Sequence, residues 1–393
     1  MPQTHKKSKS IDGSKTHQPV IMQIIPELGP GGAEQGCLDV AKGIIEAGGK
    51  AIVVSHGGSR VPELSRHGAV HINLPVHSKN PLTIWRNIGR LKKLIKKYNV
   101  DIVHVRSRAP AWSAYYACKK ANVSYMTTCH ASYNINDNDW KRRYNEMMTK
   151  GERVIAVSDH VATYLKDNYQ MNTSNIRVVH RGVDLNRYGI DKVIPAQIIE
   201  VATQWNLPED ARIILLPGRV SRIKGHHVLI EAMSLLEEEN VYCVLLGSNQ
   251  GRDEYTAELS ETIQKYNLGE RIRIIDHCKE MPAAYMLSNI VVCPSTKPEG
   301  FGRIPIEAQI MGKPIIAANH GGVMETIIDG QTGWLVPPND AHALKEAIKH
   351  VLSLTEDEKN ILANNAINHV LHHFTNDQMV DKTLDVYAEL MQR

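Results

Sequence analysis

Short apolar runs alternate with helical segments along most of the chain, and the alternation comes in two series. The first series covers residues 20–26, 51–55, 101–107, 124–130 and 153–159. The second covers residues 212–218, 241–248, 271–277, 289–295 and 314–319. Such runs between helices are typical of parallel sheets covered on both faces. The sequence therefore predicts an α/β fold of two doubly wound, Rossmann-like domains. Because open sheets bind ligands at the carboxyl ends of their strands, we expect the domains to face each other across a ligand cleft.

The interval between the two series predicts where the chain divides. Residues 189–209 contain two prolines and show no strand pattern. We predict a disordered basic tail over 1–19, an N-terminal domain over 20–190, a linker over 191–209, a C-terminal domain over 210–372, and a C-terminal helix over 373–393 that can pack back on the N-terminal domain.

Composition and charge exclude several classes of protein. The tail over 1–19 is polar and basic without an apolar core, which argues against a signal peptide. No apolar run reaches the length that a membrane-spanning helix needs. The six cysteines are scattered without a C-x-x-C pair, as in proteins that keep reduced thiols in a cytosol. A net charge of +4 is too small to indicate nucleic acid binding. We predict a cytoplasmic protein with no nucleic acid partner.

The stretch PSTKPEGFGRIPIEAQIMGKP, Pro294–Pro314, carries two glutamates around a glycine turn. Glu299 follows a predicted strand, and Glu307 lies in a helix expected to begin near Pro305. Free N–H groups at the start of a helix bind phosphate, whereas carboxylates accept hydrogen bonds from hydroxyl groups. A nucleotide sugar has a diphosphate between two hydroxylated groups. We therefore predict that Glu299 meets the sugar and Glu307 the ribose. The alternative is an ordinary strand–turn–helix connection with a first-turn glutamate favoured by the helix dipole.

A second loop, within LLPGRVSRIKGHHVLIEA, follows the first strand of the second series. Arg219 and Lys224 lie in this loop, before a helix that is expected to begin near His226. Two cations beyond the carboxyl end of a strand can neutralise a diphosphate as it departs with extra charge. A solvated basic loop is the alternative explanation.

Together these segments resemble the retaining nucleotide-sugar glycosyltransferases of family 4, which have the GT-B fold. The resemblance runs from Val20 onward and is strongest from Leu215 to Asp340; its segments are GPGGAE, RGVDLNRY, GRVSRIKGHHVLIEA, KPEGFGRIPIEAQIMGKPIIA and GGVMETIIDGQTGWLVPPND. It implies retaining, hexosyltransferase-type transfer from a nucleotide-diphosphate sugar on the second domain. It implies a glycan or lipid-linked acceptor on the first domain, in cell-envelope or lipopolysaccharide biosynthesis.

The resemblance also implies roles for individual residues. The expected catalytic residues are His130, Glu299, Arg219 and Lys224, and the expected donor-binding residues are Gly31, Gly32, Gly300, Phe301, Gly302, Arg303 and Glu307. No nucleophile of the enzyme is required, since the acceptor attacks from the face that the diphosphate leaves. The chain departs from the family at Arg181, Arg303 and Met324, where asparagine, an apolar residue and proline are usual. These departures affect the donor and acceptor rather than the reaction class.

An Asp-Asn-Asp stretch at 137–139 resembles the metal-binding Asp-x-Asp of other glycosyltransferases. It lies in a polar loop without a neighbouring strand, and cations of the protein already serve the diphosphate. We therefore expect a loop at 137–139, no metal and no cofactor.

The helical segment 85–100 admits two explanations. Its apolar face is expected to contain Trp85, Ile88, Leu91, Ile95 and Tyr98, with lysines and arginines around the rest. A helix that covers the sheet and exposes a solvated basic face is the simpler explanation. The alternative is a peripheral contact with the anionic inner face of a membrane.

Three other functions fit parts of the pattern. A nicotinamide-dependent oxidoreductase should show G-x-G-x-x-G and an acidic residue after the second strand. The chain has GPGG, and no acid in AIVVSHGG, so this function is excluded. A nucleotide-sugar epimerase or hydrolase on the same fold stays open. A sensor without catalytic activity would not need His130, Arg219, Lys224 and Glu299 together. A turnover assay separates these functions.

Overall fold

The computed structural model describes residues 17–133 and 139–392, so residues 1–16 of the predicted tail lie outside it. The Asp-Asn-Asp stretch also lies outside the described residues, except for the backbone of Asp139. The described chain forms two compact units. The first extends to Arg181 and takes in the C-terminal segment from Asn376, and the second comprises Gly182–Thr375.

The first unit is built on a parallel sheet. Its strands are β1 (Val20–Ile24), β2 (Lys50–Ser55), β3 (Val70–Asn73), β4 (Ile102–Val105), β5 (Ser124–Cys129), β6 (Arg153–Ala156) and β7 (Ile176–Val178). They lie in the order β3-β2-β1-β4-β5-β6-β7. The intervening helices are α1 (Gly32–Glu46), α2 (Val61–Arg66), α3 (Pro81–Tyr98), α4 (Arg108–Ala121), α5 (Asp139–Glu146) and α6 (Asp159–Tyr169). β1 and β4 are buried along their whole length, as central strands of a covered sheet must be.

The second unit repeats this architecture. Its helices are α7 (Pro195–Gln204), α8 (His226–Ser234), α9 (Asp253–Lys265), α10 (Met281–Leu287), α11 (Arg303–Ile310), α12 (Ala341–Ser353) and α13 (Glu356–His373). Its strands are β8 (Arg212–Pro217), β9 (Val241–Leu246), β10 (Ile272–Ile275), β11 (Ile290–Cys293), β12 (Ile315–Ala318) and β13 (Trp334–Val336). They form a parallel sheet in the order β10-β9-β8-β11-β12-β13. The two doubly wound sheets confirm the predicted fold class.

The division between the units differs from the predicted linker. The boundary falls after Arg181 rather than near residue 190, and the interval 191–209 belongs to the second unit. This interval contains α7, which packs against α10. Val201 and Trp205 are buried there, so the segment is packed into the second unit and is not a linker.

The C-terminal helix α14 (Asn376–Met391) lies in the first unit. It packs against α1, and the hydroxyl of Tyr387 lies 2.6 Å from Nδ1 of His104 in the middle of the sheet. Glu389 accepts hydrogen bonds from Arg153 on β6 and from Arg177 on β7, each at 2.8 Å. The Arg177 and Arg153 guanidiniums lower the pKa of Glu389 to about 2. These contacts fix the helix to the unit that is formed by the opposite end of the chain.

Within the described residues, no helix is both long enough and apolar enough to cross a bilayer.

Candidate active site

The candidate site of the second unit lies where the strand order of its sheet reverses. β8 and β11 are neighbours, although β9 and β10 follow β8 on its other side. A reversal of this kind leaves a crevice at the carboxyl ends of the two strands, and ligands of open α/β sheets bind there. The loop that carries Arg219 and Lys224 follows β8, and the loop that carries Glu299 follows β11. The structure therefore brings both predicted loops to one crevice.

A glycine sets how closely the two loops approach. Gly225 has a φ of 73°, in the left-handed region, and a Cβ at this position would collide with the carbonyl oxygen of Pro294. The backbone N–H of Thr296 also donates to the carbonyl of Ile223 at 2.9 Å. These contacts place Lys224 directly beside the loop after β11.

Lys224 and Glu299 form an ion pair in this crevice. The Nζ atom of Lys224 lies 2.9 Å from each carboxylate oxygen of Glu299. Both side chains are largely buried, with exposed fractions of 13% and 21%. Burial favours the neutral acid, but the Lys224 ammonium and the hydrogen bonds outweigh it and lower the pKa of Glu299. Burial likewise favours the neutral amine, but the Glu299 carboxylate raises the pKa of Lys224. The pair is therefore charged at neutral pH.

Two further groups hold the Glu299 carboxylate. The hydroxyl of Ser295 donates to Oε1 in a short hydrogen bond. The thiol of Cys293 donates to the same oxygen at 3.5 Å, and burial raises its pKa to about 12, so the thiol stays protonated. The backbone of Glu299 is fixed as well, because its carbonyl accepts from the N–H of Gly322 at 2.8 Å. The carboxylate is thus preorganised at the crevice.

Arg219 is exposed, and its charge lies close enough to Lys224 to act on the pKa of that ammonium. No carboxylate within the described parts of the chain forms an ion pair with Arg219. An anion that enters the crevice therefore meets two cations, one paired with Glu299 and one open to solvent.

The helix after the glycine turn begins at Arg303, two residues before the predicted start at Pro305. Gly302 caps it with a φ of 87° and no side-chain hydrogen bond, so the first N–H groups of α11 have no side-chain cap. Gly300 precedes this cap. The ring of Phe301 is buried and packs edge-on against Phe374, with ring centroids 5.7 Å apart. Phe301 can therefore meet a donor only through its backbone.

Glu307 points from α11 into a polar cluster of its own. The hydroxyl of Tyr285 donates to Oε2 at 2.9 Å, and a guanidinium nitrogen of Arg303 lies 2.9 Å from Oε1. Glu307 is 9% exposed. Burial, helped by the Glu307 charge, raises the pKa of Tyr285 well above its usual value, so Tyr285 stays a donor. Arg303, which the resemblance assigns to the donor, thus pairs with Glu307 in this structure.

The remaining predicted residues belong to the first unit. Gly31 is an extended residue that precedes α1, and Gly32 begins the helix, which has no side-chain cap. His130 follows β5, and its Nε2 atom is buried without a hydrogen-bond partner within the described residues. Burial and the charges of Arg181 and Arg106 hold the pKa of His130 well below its usual value, so the imidazole is neutral.

Ser295 and Tyr285 contact the two glutamates but were not predicted from the sequence. Ser295 lies two residues after β11 and four residues before Glu299, and a hydroxyl so close to a carboxylate in the sequence is a signal that could have been used. Tyr285 lies on α10, 22 positions before Glu307, and only the fold brings the two together.

Models of two families match consecutive parts of the chain. The Glycosyltransferase Family 4 model matches residues 30–187, and the Glycosyl transferases group 1 model matches residues 198–369. Together the two matches cover most of both units.

Individual proteins agree with these family matches. A glycosyltransferase from Rickettsia africae ESF-5, known from a crystal structure, is 38% identical with a TM-score of 0.88, over 96% of this chain and 99% of that chain. A D-inositol 3-phosphate glycosyltransferase of Streptomyces bingchenggensis is 31% identical over 258 residues, 63% of this chain and 55% of its own length. The crystal structure of Anabaena HepE in complex with UDP-glucose has the same fold, with 22% identity and a TM-score of 0.81 over 93% and 99% of the two chains. The chain therefore belongs to the GT-B glycosyltransferases, with a Family 4 N-terminal part and a group 1 C-terminal part.

Proposed function

We propose that this glycosyltransferase transfers a hexose, with retention of configuration, from a nucleotide-diphosphate sugar to a glycan or lipid-linked acceptor. The observation that carries the proposal is the Glu299 carboxylate, which Lys224 and Ser295 hold in the loop that leads to the start of α11. The Anabaena relative, whose structure contains UDP-glucose, supports a nucleotide sugar as the donor. We extend the proposal to cytoplasmic cell-envelope or lipopolysaccharide biosynthesis on the family resemblance.

The crevice of the second unit suits the charge changes of such a reaction. The diphosphate departs with extra negative charge, which Lys224, Arg219 and the N–H groups after Gly302 can stabilise. As a bound diphosphate draws Lys224 toward itself, Ser295 still holds the Glu299 carboxylate. That carboxylate then faces the sugar, where positive charge develops. Glu307 accepts hydrogen bonds from the ribose hydroxyl groups.

The competing functions predict different products from one experiment. The full chain is incubated with a panel of nucleotide sugars, with and without glycan or lipid-linked acceptors, and nucleotide release is measured. We expect release that depends on the acceptor, and a product with the anomeric configuration of the donor. Free sugar without an acceptor indicates a hydrolase, a changed donor indicates an epimerase, and binding without turnover indicates a sensor. Each of these three results, like an inverted product, contradicts the proposal.

We expect turnover to be independent of divalent metal ions. Lys224, Arg219 and the start of α11 already provide positive charge where other glycosyltransferases use a cation. Activity measured in excess EDTA should therefore match activity in buffer with added magnesium or manganese. Loss of activity in EDTA that manganese restores would contradict this expectation. It would favour residues 137–139 as a metal-binding stretch.

The basic helix α3 differs from the sequence prediction in one respect that bears on the membrane. Trp85 was expected on the packed face but is 68% exposed, and Leu82 is 53% exposed. Leu91 and Ile95 are buried as expected, together with Asn87, which was not expected there. Exposed basic side chains follow along the solvent face of the helix: Arg86, Arg90, Lys93, Lys96 and Lys97. Exposed apolar side chains beside a basic face are typical of helices that lie on anionic lipid.

We therefore expect the full chain to pellet with vesicles of phosphatidylserine and phosphatidylcholine. Each basic residue near the surface contributes about 1 kcal/mol, and this contribution is screened by salt. Trp85→Ser should weaken pelleting at low salt. The matched control is Ile361→Ser, which removes a side chain of similar exposure (62%) from α13 of the second unit. Equal loss in both variants, or no pelleting of the wild type, would leave α3 as a sheet-covering helix.

A further inference from the structure

The first unit has its own reversal of strand order, between β1 and β4. The residue that follows β4 is Arg106, whose side chain is 2% exposed. The loop with Gly31 follows β1, and His130 follows the adjacent strand β5. By the same rule that places the crevice of the second unit, this edge of the first sheet is a binding position.

Arg106 is buried with neutral partners only. Its Nε atom donates to Oε1 of Gln23 at 2.5 Å, and the guanidinium lies close enough to the hydroxyl of Tyr387 to oppose burial, which raises the pKa of that hydroxyl. Its Nη2 atom is buried and has no partner within the described residues. No carboxylate of those residues forms an ion pair with Arg106 either. Within the part of the chain that the structure describes, the guanidinium is therefore a buried cation without a counter-ion.

A buried charge of this kind is unfavourable unless an opposite charge and hydrogen bonds compensate it. Arg153, a buried arginine of β6, is compensated in this way, because it forms an ion pair with Glu389 at 2.8 Å. Arg106, which follows a strand of the same sheet, has no such partner among the described residues. Since a guanidinium only donates, what is missing beside Nη2 is an acceptor with negative charge.

His130 adds a second unsatisfied group nearby. Its Nε2 atom is buried without a partner, and Arg106 lies close enough to contribute to the lowered pKa of His130. A neutral imidazole with the proton on Nε2 is a hydrogen-bond donor. Phosphate and carboxylate oxygens accept from a guanidinium and from such an imidazole at once.

We propose that Arg106, together with His130, binds a phosphate or carboxylate group of the sugar acceptor. This inference rests on the proposed function, because it names the chemical class of the acceptor. The anion is assigned to the acceptor because the second unit already provides Lys224, Arg219 and the start of α11 for the diphosphate of the donor. Arg106 then selects charged acceptors over neutral ones of the same shape.

The experiment separates an acceptor anion from the diphosphate of the donor. The full chain is saturated with UDP, and inorganic phosphate is titrated at constant ionic strength, with calorimetry and thermal melting as readouts. We expect phosphate to bind and to raise the melting temperature of the wild type. Arg106→Gln should weaken phosphate binding about 10- to 100-fold, the usual effect of losing a hydrogen bond to a charged group, and should leave UDP affinity unchanged.

Arg153→Gln is the matched control, because it removes a buried arginine that has its own carboxylate. It should lower the melting temperature but keep the response to phosphate. The proposal is overturned if the wild type does not bind phosphate, if Arg106→Gln binds it normally, or if Arg106→Gln loses UDP instead. UDP that fails to bind the wild type counts against the proposed function, whatever phosphate does.

A measurement on the wild type covers the case in which Arg106→Gln does not fold. Crystals of the full chain with UDP are soaked in tungstate, which mimics phosphate and has a strong anomalous signal. We expect an anomalous peak within hydrogen-bond distance of Nη2 of Arg106. Peaks confined to the second unit would make Arg106 a structural cation that only links Gln23 to Tyr387.

Discussion

Replacing Lys224 with alanine is expected to raise the activation barrier for transfer by about 2–4 kcal/mol, as the loss of one preorganised charge contact does. The same change removes the partner of Glu299, whose side chain is 21% exposed. A buried carboxylate that loses its counter-ion destabilises a protein by about 3–5 kcal/mol. Steady-state kinetics measure the change in the activation barrier. Denaturant unfolding, followed at the transition of the second unit, measures the loss of stability.

A double-mutant cycle distinguishes the catalytic from the structural role of Lys224. Lys224→Ala combined with Glu299→Gln removes both charges, so the unfolding free energy should recover most of its loss while turnover stays low. Arg222→Ala is the control from the same loop, because Arg222 pairs with Glu258 at the surface. It should change neither stability nor turnover appreciably. Turnover near the wild-type rate in folded Lys224→Ala would make Lys224 a structural partner of Glu299 only.

Acidification checks the same ion pair independently. In the wild type the pKa of Glu299 lies below its ordinary value of 4.5, so its stabilising effect is complete above that pH and is lost as the pH falls through the lowered pKa. Without Lys224, burial, which is the largest influence, still raises the pKa of Glu299, and only the hydrogen bonds from Ser295 and Cys293 oppose it. The pKa is therefore higher in the variant, which gains stability relative to the wild type on acidification. The difference in unfolding free energy should therefore shrink between neutral pH and pH 4.5.

The central strands of both sheets could be predicted because they are buried on both faces and consist of apolar runs. The strands β3, β7 and β13 were missed, since they lie at sheet edges, are only half buried and have three or four residues. The buried face of α3 was predicted correctly at Leu91 and Ile95 and wrongly at Trp85, for a different reason. A polar residue, Asn87, occupies the buried face because its amide donates to the carbonyl of Pro75 at 3.0 Å. Periodicity alone cannot anticipate such a bond.

Of the contacts within the candidate site, likewise, only some could be predicted from the sequence. Glu299 and Lys224 could be predicted to meet, because each follows a strand at the reversal point of one sheet. The contact between Tyr285 and Glu307 and the link between Arg106 and Tyr387 could not. These partners belong to different elements, and no spacing in the sequence encodes the distance between them. Local motifs therefore indicated which residues lie together at the crevice better than they indicated which residues hold them there.

Replacing Glu307 and Glu299 with glutamine, one at a time, is expected to affect different kinetic quantities. Glu307 is assigned to the ribose, which does not change during the reaction, so Glu307→Gln removes uniform binding. Donor affinity should fall by about 1.5–3 kcal/mol while turnover stays closer to normal. Glu299 is assigned to the sugar, where positive charge develops in the transition state. Glu299→Gln should therefore lower turnover by about 100- to 1000-fold and affect donor affinity less.

Direct binding of the nucleotide sugar and steady-state kinetics, measured for each variant, test this assignment. Tyr285→Phe is the control for Glu307, because it removes the hydroxyl that holds Oε2 but keeps the carboxylate. Tyr285→Phe should lower donor affinity less than Glu307→Gln does, since the carboxylate that is assigned to the ribose is still present. Lower turnover in Glu307→Gln together with lower affinity in Glu299→Gln would reverse the roles of the pair. Normal kinetics in both variants would mean that the glycine turn before α11 does not bind the donor, because neither of the carboxylates assigned to the donor would then contribute to its binding or to transfer.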